Sequence, residues 1–72
     1  MKKVKSIPKT QRVLEVLTLG EKKQFKIARV TNTSEYVLYA VSPSDDTLLY
    51  LAKGQSPQTL EEKAQDFDWT SI

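Results

Sequence analysis

The sequence predicts an α+β fold: a four-stranded antiparallel β-meander over residues 11 to 54, followed by one C-terminal α-helix (β-β-β-β-α). Three observations predict it. Four short segments rich in β-branched and aromatic residues follow one another from Gln11 to Gly54. Polar, turn-forming stretches separate them. At Ser56 the pattern changes to helical spacing. With 72 residues, the chain has room for one small domain.

Residues 1 to 10 contain no aromatic residue and no regular apolar spacing, and they read as a flexible basic arm before a single domain at 11 to 72. The first predicted strand is the apolar run Arg12 to Leu19, closed by a turn at Gly20 to Lys23. By simple alternation it places Val13, Leu17 and Leu19 against Leu14 and Val16. Gln24 to Thr31 forms the second strand, with Phe25, Ile27 and Arg29 on one side and Lys26, Ala28 and Val30 on the other. Asn32-Thr33-Ser34 suits a hairpin turn. Glu35 to Val41 and Thr47 to Ala52 are the third and fourth strands, joined by Ser42-Pro43-Ser44-Asp45-Asp46. Ser56 is placed to cap a helix with Pro57 at its first position, and Leu60, Ala64 and Phe67 fall on one stripe. The tail beyond it carries Trp69, which is expected to fold back on the sheet.

An antiparallel sheet with one wet face alternates apolar with polar residues. These strands do not. Tyr36, Leu38 and Ala40 face one side and Val37, Tyr39 and Val41 the other, while Leu48, Tyr50 and Ala52 oppose Leu49 and Leu51. One short helix covers one face, so the second must be covered by curling into a barrel, by a second copy, or by a larger protein. The expectation drawn here is a protein partner or a homodimer, with Tyr36, Tyr39, Tyr50 and Leu49 as contact residues.

Composition narrows the function classes. The chain has no cysteine and no histidine, which removes thiol and imidazole chemistry and the usual zinc sites. Asp45-Asp46 and Glu61-Glu62 are adjacent carboxylates whose side chains diverge, and two glycines cannot build a phosphate loop. No catalytic residue, metal ligand, cofactor or small-molecule substrate is expected. The longest apolar run, Tyr36 to Val41, is too short to span a bilayer, and neither a signal segment nor a lipidation motif is recognisable, so the expectation is a complete, cytoplasmic chain.

The net charge of +2 conceals a strong asymmetry. Residues 1 to 29 carry nine cations against Glu15 and Glu21, a net of +7, and residues 30 to 72 carry a net of −5. This supports a second expectation, a nucleic-acid binder using Lys22, Lys23, Lys26, Arg29 and the arm on phosphates, with Phe25, Tyr36, Tyr39 or Tyr50 stacking on bases. Four strands and then a helix, after a basic arm, resembles the layout of single-stranded-DNA-binding transcription coactivators. The run Ile27 to Val41, with Ala28, Asn32, Ser34, Leu38 and Val41 at characteristic spacing, also resembles a helix-turn-helix. Its many β-branched and tyrosine residues favour a hairpin instead.

Overall fold

The computed structural model describes residues 2–20, 23–42 and 46–67. Its elements are β1 (Lys2–Val4), β2 (Gln11–Thr18), β3 (Gln24–Val30), β4 (Tyr36–Val41), β5 (Leu48–Gly54) and α1 (Pro57–Gln65). The meander β2-β3-β4-β5 and the helix after it are as expected. The sheet is larger by one strand, since β1 pairs antiparallel with β5 and gives the order β1-β5-β4-β3-β2. The sequence offered no period from which to read a three-residue strand in the arm.

Local chemistry sets the turns. Gly20 takes a φ of +150°, which a side chain would resist. In the β3–β4 turn the Thr33 amide donates to the Val30 carbonyl at 3.2 Å, and Asn32 adopts a left-handed φ of 66°. The Thr33 hydroxyl donates to the same carbonyl at 2.9 Å and accepts from the Glu35 amide at 3.1 Å. Residues 27 to 41 are therefore a β-hairpin, and no helix-turn-helix forms there. At the helix, Ser56 occupies the cap position without a side-chain cap bond, and Pro57 starts the first turn as expected.

Two bulges correct the side-chain assignments made by plain alternation. The β2–β3 register shifts between Val13 and Glu15, leaving Leu14 as the extra residue. Val13 then stands opposite Ala28 and Val16 opposite Lys26, on one face. Arg12, Glu15 and Leu17 stand opposite Arg29, Ile27 and Phe25 on the other. Between β4 and β5 the register slips at Leu38/Tyr39, so Leu51 is the extra residue and Ala52 joins the side of Leu49.

The sheet buries both faces. On one, Leu60 and Ala64 of α1 pack on Phe25, Ile27, Leu38, Ala40 and Leu49, and Phe67 meets Phe25 edge-on at 6.2 Å. On the other, Ala28, Val37, Tyr39, Val41 and Leu48 form a second cluster against which Val4, Ile7, Val30 and Tyr50 pack. The expectation that another molecule must cover this face is corrected. The chain's own N-terminal segment lies on it.

Topology explains why. β1 and β2 are consecutive in the chain yet occupy opposite edges, four strand spacings or about 19 Å apart in a flat sheet. The chain from Val4 to Gln11 reaches at most about 25 Å when fully extended, and part of it is spent in a turn where the Gln11 amide donates to Pro8 at 2.9 Å. The link therefore has little slack and crosses the sheet as a strap, with Val4 and Ile7 packed on the Tyr39 face. The Tyr39 hydroxyl, donating to the Gln11 side-chain carbonyl at 2.5 Å, ties β4 to the end of that strap. Burial beneath it pushes the Tyr39 phenol above its ordinary pKa. The Gln11 bond acts in the opposite sense, and nearby Tyr50 adds to the rise.

Candidate functional site

Among the described residues, the exposed large apolar side chains fall on β2 and the residue just beyond it. Val13 is 40% exposed, Leu14 52%, Val16 49% and Leu19 39%. β2 is also a sheet edge, paired only with β3 among the described residues. An edge combines unpaired backbone donors and acceptors with whatever its side chains offer, here a greasy strip. The bulge at Leu14 turns Val13 and Val16 to the same face, which a regular strand would not do for positions three apart.

The four residues expected to make contacts are dispersed. Tyr39 is 3% exposed and Leu49 2%, so both belong to the interior, in different clusters. Tyr36 and Tyr50 are half-buried on opposite faces. Tyr50 stacks edge-on against Tyr39 at 6.3 Å. The apolar residues read on both faces of the first, third and fourth predicted strands are mostly buried on the inner strands and exposed on β2. The exposed part lies on the outermost strand of the meander, which is covered on one side only.

The basic residues are likewise divided. Lys22 lies outside the described residues. Lys23 is exposed beside the β2–β3 turn, Lys26 is half-buried on the strap face, and Arg29 is exposed on the helix face. Lys26 and Arg29 therefore stand on opposite faces of the sheet. Arg29 stands directly opposite Arg12. These two, with Leu14, Thr31 and Asn32, line an open cleft of about 340 Å³. Among the described residues no group of three metal-ligating side chains occurs, and no helix is long and apolar enough to cross a membrane.

One carboxylate pair is out of the ordinary. Glu15 of β2 and Glu61 of α1 come together on the helix face of the sheet. A hydrogen bond shared with Glu61, then partial desolvation and repulsion from that neighbour, hold the Glu15 carboxyl above its usual pKa. A raised folded-state value favours the protonated form. Its stabilising contribution is complete below the ordinary carboxylate range and is lost as pH rises through the raised value. Glu15→Gln is therefore expected to raise the thermal midpoint near pH 7 and to change it little near about pH 4. Melting curves of the two proteins at both pH values test this, and a midpoint lowered at neutral pH would contradict it.

Comparison with known proteins adds no relative: no family model, no curated protein and no solved structure matches the chain.

Proposed function

We propose that this chain is a non-catalytic protein-binding module that works by associating with a second copy of itself along β2. The observation that carries the proposal is the coincidence of a free sheet edge with exposed Val13 and Val16 on one face of that strand. The choice of a second copy rests on register. Antiparallel pairing of β2 with itself, centred between Leu14 and Glu15, sets Val13 against Val16 of the other copy twice. Because the bulge puts both valines on one face, the apolar row continues across the seam. The same pairing satisfies the open backbone of both edges. Affinity then comes from main-chain hydrogen bonds and the valine row, and the interior tyrosines take no part.

Light scattering coupled to size exclusion tests this directly. The dimer is expected at tens of micromolar, and Val16→Lys is expected to give a folded monomer, since a charge on an exposed edge blocks strand pairing at a stability change within about 0.5 kcal/mol. A wild-type chain that stays monomeric at about 100 μM would overturn self-association, because an interface of ordinary size and quality is populated there.

A further inference from the structure

We propose that the cleft between β2 and the β3–β4 turn is a binding site for a small organic phosphate monoester of nucleotide size. Arg12 and Arg29 are direct cross-strand partners at its floor. Like charges placed opposite each other on neighbouring strands destabilise a sheet unless an anion lies between them. Among the described residues no carboxylate pairs with either guanidinium. The acidic residue of the adjoining turn, Glu35, pairs instead with Lys53 at 3.6 Å.

The site is shaped in advance. Arg29 donates through Nε to the Thr33 carbonyl at 2.9 Å, which fixes the plane of its guanidinium and leaves its terminal nitrogens for a ligand. The turn that supplies that carbonyl is itself held by the Thr33 hydroxyl and the left-handed Asn32. Thr31 and Asn32 add polar groups to one wall, and Leu14, thrust outward by the bulge, adds an apolar one.

Two guanidinium forks need more acceptor oxygens than one carboxylate has. A phosphate monoester carries close to two negative charges and three free oxygens, so it can accept from both at once. The cleft's volume, about 340 Å³, lies at the small end of ligand sites. That size suits a compact molecule whose sugar or ring rests on Leu14 rather than a stretch of polymer.

The test is a ¹H–¹⁵N titration of the full chain at low salt with adenosine monophosphate and inorganic phosphate, alongside adenosine, acetate and an unphosphorylated oligothymidylate. Adenosine monophosphate and phosphate are expected to shift Arg12, Leu14, Arg29, Thr31 and Asn32 saturably, and adenosine and acetate to leave them in place. Arg12→Gln should weaken binding by about tenfold or more, and Arg12→Lys by less, because the charge survives without the fork. The Arg12 side chain makes no hydrogen bond to a described residue, so the urea midpoint of Arg12→Gln should not fall, which separates lost binding from lost folding. No saturable shift with adenosine monophosphate at about 10 mM, equal binding of adenosine, or unchanged affinity in Arg12→Gln would each overturn the site. Tighter binding of the oligothymidylate through the same residues would overturn the small-molecule assignment in favour of a nucleic acid.

Discussion

Leu60→Ala is expected to remove roughly half of the domain's stability. Leu60 is fully buried, and with Ala64 it is one of two buried residues on α1, so the helix is held to the sheet mainly by this side chain. It sits among Phe25, Ile27, Leu38, Ala40 and Leu49, and its Cδ2 lies 3.7 Å from where a side chain would begin at Gly54. Truncating a leucine in such a place costs about 3–5 kcal/mol, from the lost transfer energy and from the cavity left behind. A domain of 72 residues has about 4–11 kcal/mol in total. Urea unfolding followed by circular dichroism measures the effect. A loss below about 1 kcal/mol would mean that the helix contributes little to the first core.

The second large effect concerns the strap. Replacing Val4 and Ile7 together with serine should release the N-terminal segment from Ala28, Val37, Tyr39, Val41 and Leu48. Both side chains are half-buried, so the loss should be about 2–4 kcal/mol, accompanied by binding of a hydrophobic dye and by aggregation. Lys9→Ala, at an exposed position of the same segment, should change neither stability nor dye binding. If the serine variant behaves like the lysine variant, the strap does not cover that face in solution.

The meander and the helix were legible in the sequence because their signals are local. Turn residues such as Gly20 and Asn32 sit where a left-handed or glycine-only backbone is needed, and the alternation in Tyr36 to Val41 is read correctly as two apolar faces. What escaped depends on partners far along the chain. Leu14 and Leu51 are bulged only because their neighbouring strands fix the register, and nothing in their own identity announces it. Val4 and Ile7 are too few to show a period, yet they pack on the second apolar cluster once β1 reaches β5. The Arg12–Arg29 juxtaposition has the same origin, since it follows from the hairpin register and from no motif. Tyr39 and Leu49 were attractive contact residues by type, and the strap and the helix are what take them inside.

The pairing of Lys2–Val4 with Leu48–Tyr50 has a consequence for how the molecule comes to exist. The three hairpins of the meander close between neighbours and can form quickly, whereas the N-terminal strand has nothing to join until β5 has been made. During synthesis β1 leaves the ribosome before its partner β5 and settles only after it. Through that interval the face under Val4 and Ile7 stays bare, and the newborn chain is at its stickiest until β5 takes up its first strand.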